Sequence, residues 1–564
     1  MKKHFLLAIA ALLMAFSFMS CKKMGPLATD YFKVDPPVLE AKAGKVEATI
    51  TGTFPEKYFK KKATVTITPV LKYNGTEEKL QTVAFQGENA KGNNKKVKYQ
   101  SGGTYTHRVS FDFKPGMEKS ELYLQFEVQE GSKSKSLPEV KIADGINCTY
   151  MLAKAENLDP AFASDQFQRS ITNQQEADIK FLINKADIRS TELKKDELLA
   201  LTNKLKEATS NQGSTIKDVE ISGYASPEGS LNTNTSLAEK REKTAVEYIN
   251  KQMSKFKAKA QVDSKYTAED WDGFQKLVSQ SSIQDKELIL SVLSQFSDPD
   301  QRETEIRKLS AAFKVLATDV LPQLRRSKLK VSYEISGKTD EQLLAAAKSN
   351  PSSLSVEELL FTATLTTDVN TKADIYAKAA ELFPNDWRTI NNLGAAKYLQ
   401  GNTAEAEKLF SKAFDMNSSA KETNFNWGVV QLKKGDVKLA EQFLGKCAGM
   451  GAKLDGALGI IYLYKGDYAA ANKALAEDKT NNAVIAKLVV KDVASATTIL
   501  KQVKNPNALT SYLKAIVAAR TADKEGVFSN LKDAAKDPEL KKRAGVDIEF
   551  AKYNTDPAFS GIVK

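Results

Sequence analysis

The chain has 564 residues, with 82 lysines and arginines against 70 acids and a formal net charge of +12. Three cysteines and two histidines leave almost no material for a catalytic metal, or for a serine–histidine or cysteine–histidine pair; Cys21, Cys148 and Cys447 share no ligand spacing. The lysines are scattered among the acids rather than massed in a stripe, so no nucleic-acid partner is expected. Length and composition fit three or four soluble domains.

Residues 1–20 read as a signal peptide. Lys2 and Lys3 precede an apolar run from Phe5 to Phe18, too short for a spanning helix. The run ends Phe18-Met19-Ser20-Cys21, and a small residue before cysteine resembles the lipoprotein signal, although Phe18 stands where leucine is usual. The resemblance implies that Cys21 becomes the lipidated first residue of a protein held in the outer membrane. The other reading is an ordinary secretory signal cut nearby. Lys22, Lys23, Met24 and Gly25 follow without an acidic cluster, which points to a periplasm-facing anchor.

Residues 21–150 are expected to form a β-sandwich, immunoglobulin-like in the loose sense. Val65 and Ile67 alternate with threonines, and Tyr105, His107, Val109, Phe111 and Phe113 alternate with polar residues, as do Leu122, Leu124, Phe126 and Val128. Asn74-Gly75 is a hairpin turn signal. His107, on the apolar face of its strand, is expected to be a core histidine with one hydrogen-bond partner. The basic stretch Lys91 to Lys98 reads as an exposed loop, and residues 151–175 as a linker or short helix.

Residues 176–336 contain the stretch KDVEISGYASPEGSLNTNTSLAEKREKTAVEYI at 217–249. It reads as strand, Gly/Pro-punctuated loop and amphipathic helix. Gly223, Tyr224, Ala225, Gly229, Ser230, Asn234, Leu237, Arg241, Val246, Tyr248 and Ile249 resemble, without a gap, the ligand loop of the OmpA-like (OmpA C-terminal) family. That family binds peptidoglycan through an Asp and an Arg gripping the zwitterionic end of diaminopimelate. Arg241 holds the Arg position, while Ser226 holds the Asp position and supplies no anion; Glu228 or Asp187 is the candidate replacement. The peptidoglycan-binding candidates are therefore Arg241, Ser226, Asn234 and Glu228. Ser190 is expected to cap a helix through Ala208, and residues 262–322 to form a helical insertion. The strand from Arg325 to Ile335 resembles the ending of the family, and 337–349 is a second linker.

Residues 350–564 carry a repeat. Gly394, Gly428 and Gly459 recur at intervals of 34 and 31, and Gly401, Gly435 and Gly466 keep step with them. Ala406, Ala440 and Ala471, then Phe410, Leu444 and Leu475, recur in the same frame. This resembles the tetratricopeptide (TPR) repeat, which implies a solenoid with a concave binding face. Residues 481–564 continue as degenerate repeats or a cap. In the TPR register the concave wall includes Arg388, Asn391 and Tyr398, then Phe425 and Leu432, then Leu463. Tyr398, Phe425, Leu432 and Leu463 are expected to form an exposed apolar track that takes a protein partner.

The fold class expected is thus multidomain: an N-terminal β-sandwich, a central α/β OmpA-like domain with a helical insertion, and a C-terminal all-α TPR solenoid. The arrangement resembles Bacteroidota-type outer-membrane lipoproteins. Two functions follow, neither catalytic and neither calling for a cofactor or metal. One is an outer-membrane lipoprotein that associates with peptidoglycan and binds an envelope or secretion-system protein through its repeats. The other is a pure interaction scaffold whose OmpA-like domain binds no wall. If Cys21 is acylated, Cys21→Ala should move the protein from the outer-membrane fraction to the soluble periplasm; unchanged fractionation of that variant would refute the anchor.

Overall fold

The computed structural model describes residues 24–155, 158–210 and 213–564, so Cys21 and the leader lie outside the described residues. The chain divides into two compact units. The first joins residues up to Ala163 with Asp368–Lys564; the second, Ser164–Thr367, is inserted between them. Among the described residues no helix is long and apolar enough to cross a membrane.

The first unit opens with a sandwich. One sheet holds β1 (Phe32–Asp35), β3 (Lys45–Phe54), β2 (Leu39–Lys42) and β11 (Ile146–Asn147) in that order, with β8 (Gly103–Asp112) also on β3. The other runs β10 (Lys133–Asp144), β9 (Ser120–Glu130), β4 (Ala63–Tyr73), β6 (Val83–Gly87), β7 (Lys95–Val97), with β5 (Thr76–Lys79) also on β4. Alternation of buried and exposed residues is strict along β3 and the first half of β4, which is why threonines interleave with Val65 and Ile67. Asn74 and Gly75, both at positive φ (46° and 74°), close the β4–β5 hairpin. Phe54, Phe59, Phe85 and Tyr105 form one aromatic core cluster. His107 has the one expected partner, its Nε2 lying 2.6 Å from the Gln81 carbonyl, but it is half-buried and not part of the core.

The second part of this unit is a stack of antiparallel helix pairs: 387–399 with 403–416, 421–433 with 437–444, 452–464 with 468–474, 481–489 with 493–500, and 508–520 with 524–534. The repeated glycines have a steric reason. A Cβ at Gly394 would sit 2.9 Å from the Phe410 ring, at Gly428 2.8 Å from Leu444, and at Gly459 2.4 Å from Leu475, so each pair crosses where only glycine fits. Gly401, Gly435 and Gly466 take φ values of 82°, 82° and 71° in the turns between helices. Asp436, Asp467, Asp492 and Asp523 cap the second helices by accepting a backbone N–H. Residues 481–564 therefore continue the pairs, closed by short helices at 538–544 and 557–563.

In the second unit a sheet ordered β12 (Ser170–Lys180), β15 (Arg326–Ser336), β13 (Ser214–Tyr224), β14 (Gln261–Thr267) packs against helices Asp196–Ser210 and Leu231–Phe256. Strands β13 and β14 are parallel and the other pairs antiparallel. Four expectations need correction. The expected linker 337–349 is mostly a helix, Asp340–Ser349, capped by Thr339 and burying Leu343 and Ala347. The expected linker 151–175 already contains the start of β12 at Ser170, because that half of the strand is polar on both faces. The expected insertion from 262 begins with a sheet strand, β14, whose residues are mostly exposed and show no apolar alternation. Ser190 does not cap: a 3₁₀ turn at Glu192–Lys194 comes first and the helix starts at Asp196. Helices at 271–280, 286–295 and 299–308 then form the insertion around Phe274, Ile289, Leu316 and Leu324.

Candidate functional site

The concave side of the helix pairs is filled by the chain itself. Residues 153–155 and 158–163, beyond a 3₁₀ turn at Thr149–Leu152, run through it as a largely extended strap. An extended segment presents unpaired N–H and C=O groups, and burying them unpaired is costly. Asparagine side chains supply the partners. Asn426 accepts from the Ala161 N–H (2.7 Å) and donates to the Ala161 carbonyl (2.8 Å). Asn392 does the same to Ala163 (2.7 and 2.9 Å), and Asn482 to Lys154 (3.1 and 2.8 Å). Each amide thus imitates a neighbouring β-strand, and the paired bonds fix its orientation, since the reverse would set NH₂ against N–H.

Further groups complete the strap. Asn391 donates to the Ala161 carbonyl (3.0 Å) and accepts from Asn426 (2.9 Å). Tyr464 donates to the Ala153 carbonyl and Lys453 to the Pro160 carbonyl, at 3.0 and 2.6 Å; the Tyr398 hydroxyl reaches the Ala155 carbonyl at 3.5 Å. Leu152, Ala153, Ala155, Leu158 and Ala161 lie in one buried cluster with Phe425, Leu432 and Leu463. Phe162 stacks on Tyr376 with ring centroids 5.8 Å apart.

The expected exposed track is therefore overturned. Phe425 and Leu463 are 0% exposed and Leu432 6%. Tyr398 is half-buried. Their cover includes the strap, which the sequence reading took for a linker. Arg388 stays at its own helix start, paired with Asp386 at 2.7 Å. Of the wall residues named from the register, Asn391 and Tyr398 hydrogen-bond the strap and Phe425, Leu432 and Leu463 share its apolar cluster; Asn392, Asn426 and Asn482 were missed. Asn392 and Asn426 stand 34 residues apart, the repeat interval, and that spacing was the available signal.

The loop at 223–230 in the second unit is closed by its own charges. Arg241 is 1% exposed. Its Nε donates to the Lys185 carbonyl (3.1 Å), one terminal nitrogen to Tyr224 (2.9 Å) and the other to Leu182 (3.3 Å), while the guanidinium lies over the Phe181 ring at 5.4 Å. Burial, and then the nearby Arg325 charge, push its pKa down to about 10, with Glu228 opposing the shift. Ser226 donates to Glu228 at 2.9 Å, and Arg325 grips Glu228 with two bonds of 2.8 and 2.9 Å. Arg307, from the insertion, donates to the Glu228 carbonyl at 2.8 Å. Asn234 is buried and donates to the Gly229 carbonyl and to Glu269. The site candidates Arg241, Ser226, Glu228 and Asn234 are thus brought together, but each is satisfied from within. Asp187 is exposed. Among the described residues no group of three or more His, Cys, Asp or Glu is placed to hold a metal ion.

No protein-family model matches the chain, and no curated protein matches it in sequence. Solved structures with paired helices do. A tetratricopeptide repeat protein from Parabacteroides merdae is 16% identical, with 37% of this chain and 91% of that one covered at a TM-score of 0.28. PilF of Pseudomonas aeruginosa is 15% identical over 39% of this chain and all of its own, with a TM-score of 0.27. PilW, a type IV pilus biogenesis factor, is 11% identical over 41% of this chain and all of its own, with a TM-score of 0.26. At these scores the repeat assignment rests on the chain's own helix pairs and crossing glycines.

Two measurements check the geometry. Replacing Asn392 and Asn426 by leucine leaves two strap residues with buried, unpaired backbone groups, so it should destabilise the first unit by about 2–4 kcal/mol. It should also speed amide exchange at Ala161 and Ala163; unchanged exchange would show that the asparagines do not hold the strap. Arg241→Leu removes a donor from three carbonyls, of which Leu182 keeps the Lys185 N–H, and should lower stability by roughly 3 kcal/mol in denaturant unfolding. A variant as stable as the parent would contradict the closed-loop geometry.

Proposed function

We propose that the chain is a non-catalytic scaffold of the cell envelope, lipid-anchored through Cys21 in the outer membrane and facing the periplasm, whose repeats bind an envelope or secretion-system protein. The observation that supports the scaffold over a wall-binding role is the saturation of the 223–230 loop. Arg241 is engaged by three backbone carbonyls and Glu228 by Arg325, so neither offers an open ionic group to a diaminopimelate end. A buried guanidinium would have to give up its carbonyls before it gripped a ligand carboxylate, and the exchange gains little.

The repeats meanwhile carry half-exposed aromatic surface. Phe414, Trp427 and Phe443, on three consecutive helices, form a chain of rings with centroids 6.4 and 5.2 Å apart. Clusters of large rings of this kind carry much of the binding energy at protein interfaces. With the groove filled from within, this surface is where the partner is expected.

The second reading keeps peptidoglycan as a ligand of the OmpA-like unit. It is favoured by one observation, that Ser226, Glu228, Asn234 and Arg241 converge on the strand–loop–helix where the resemblance places them. Sedimentation with purified peptidoglycan separates the two readings. Under the scaffold reading the protein stays in the supernatant, and a cross-linked stoichiometric partner is lost from the variant Trp427→Ala/Phe443→Ala. Sedimentation that free diaminopimelate competes away would overturn it in favour of wall binding.

A further inference from the structure

The two ends of the sandwich differ in how their charges are met. At the end bearing the β4–β5 hairpin, three lysines are paired, while Lys45 and Lys119 are not among the described ion pairs. Lys72 bridges Glu77 and Glu139, Lys114 bridges Glu78, and Lys141 bridges Glu121 and Asp144, all at 2.6–3.2 Å. At the other end, three connections come together: the turn 55–62 between β3 and β4, the loop 88–94 with β7 and the residues after it, and the β9–β10 hairpin. The contacts that join them are specific. Asn89 N–H donates to the Lys61 carbonyl (2.7 Å) and Lys57 N–H to the Tyr99 carbonyl (2.6 Å). The buried amide of Gln86 holds the loop by donating to Ala90 and Gly92 and accepting from Asn94. Glu130, at the hairpin, takes Lys60 at 2.6 Å.

Nine lysines and four carboxylates lie in residues 24–31, 54–63, 87–99 and 130–133, which make up this end. Lys57, Lys61 and Lys62 on the turn and Lys91, Lys95, Lys96 and Lys98 on the loop are exposed. Lys61 meets Glu88; Lys57, Lys62, Lys91, Lys96 and Lys98 have no carboxylate partner among the described residues. Exposed like charges this close share one Debye length, so they act on a nearby surface as a single positive field.

The first described residues, from Met24, lie at the same end. The Tyr58 hydroxyl, within the lysine-bearing turn, donates to the Gly25 carbonyl at 2.6 Å, and Met24 and Leu27 are buried in the sandwich core. Only Lys22 and Lys23 separate Met24 from Cys21. A lipid on Cys21 would therefore hold this lysine-rich end, and not the charge-paired one, against the bilayer.

We infer that the Lys57–Lys62 turn and the Lys91–Lys98 loop form a second membrane contact, docking the sandwich on an anionic phospholipid surface beside the anchor. The inference rests on the anchored reading for which membrane is met, and on the structure for the patch. Lysines near an anionic surface add attraction one by one, and a basic patch is the usual second signal that makes an acyl anchor durable.

The test uses the full mature chain carrying Cys21→Ala, so that no acyl group contributes, in co-sedimentation with vesicles. Vesicles of phosphatidylcholine mixed with phosphatidylglycerol should bind it, with binding falling as salt is raised, and vesicles of phosphatidylcholine alone should not. Lys61→Gln, Lys62→Gln, Lys95→Gln and Lys96→Gln together should weaken binding by about a hundredfold or more. The variant Lys72→Gln/Lys114→Gln/Lys141→Gln, at the opposite end, should bind like the parent. No binding to the anionic vesicles, equal binding to neutral ones, equal loss in both variants, or displacement by inorganic phosphate would each overturn the inference. The outcome is independent of acylation: failure of the anchor shows in the fractionation of Cys21→Ala, failure of the patch in the vesicles.

Discussion

The first unit depends on a pairing between side-chain amides and a backbone. Asn392, Asn426 and Asn482 each meet one strap residue with two hydrogen bonds. A net bond is worth only about 1 kcal/mol, but the unmade alternative is a buried, dry backbone group, which costs more. The amides thus decide less how strongly the strap binds than that it binds in one register. Slipping the strap by one residue would turn its apolar side chains outward and leave every amide without a partner.

That register ties together parts of the chain 229–328 residues apart. Ala163, the last residue of the strap, is also the last of the first segment of its unit, and the chain re-enters that unit at Asp368. The second unit is therefore an insertion in the sequence of the first, in keeping with the tolerance of compact domains for insertion. It repeats the logic of the first. In its 223–230 loop Ser226 donates to Glu228, Glu228 is neutralised by Arg325, and Arg241 is satisfied by carbonyls. The loop is a closed network, with Arg307 of the insertion bound to it as well.

The repeats were legible because their constraint is steric and local. Glycine at a helix crossing and glycine at a positive-φ turn leave a fixed spacing in the sequence, and both sets sit where that spacing put them. The sandwich was legible from strict alternation, except for its short strands. The polar start of β12 and the exposed strand β14 were not, because neither alternates. The strap was the larger miss. The stretch 153–163 has no period of helix or strand in its sequence, and its described residues are held mostly by partners more than two hundred residues away. The wall register correctly turned Asn391 and Phe425 inward, but a register names a face and says nothing of what covers it. Charge closure in the 223–230 loop was half visible: Ser226 announced a missing anion, while Arg325 lay a hundred residues off, beyond the insertion.

The composition of the strap follows from the wall it meets. Phe425 and Leu463 already fill much of the groove, and the helices cross closely at glycines, so little depth remains above them. Ala153, Ala155, Ala161 and Ala163 are all buried, and together with Lys154 they are the residues whose backbone groups the tyrosines and asparagines hold. A larger side chain at Ala161 would lift the backbone from Asn426 and break two bonds of 2.7 and 2.8 Å at once. Leu158 and Phe162 stand where the wall leaves room, Phe162 against Tyr376. The groove thus selects its occupant twice, by backbone register and by side-chain size. An outside peptide would have to match both while competing with a segment of the same chain, whose effective concentration no dilute partner equals. That is the physical reason to look for the partner of this chain on surface outside the groove.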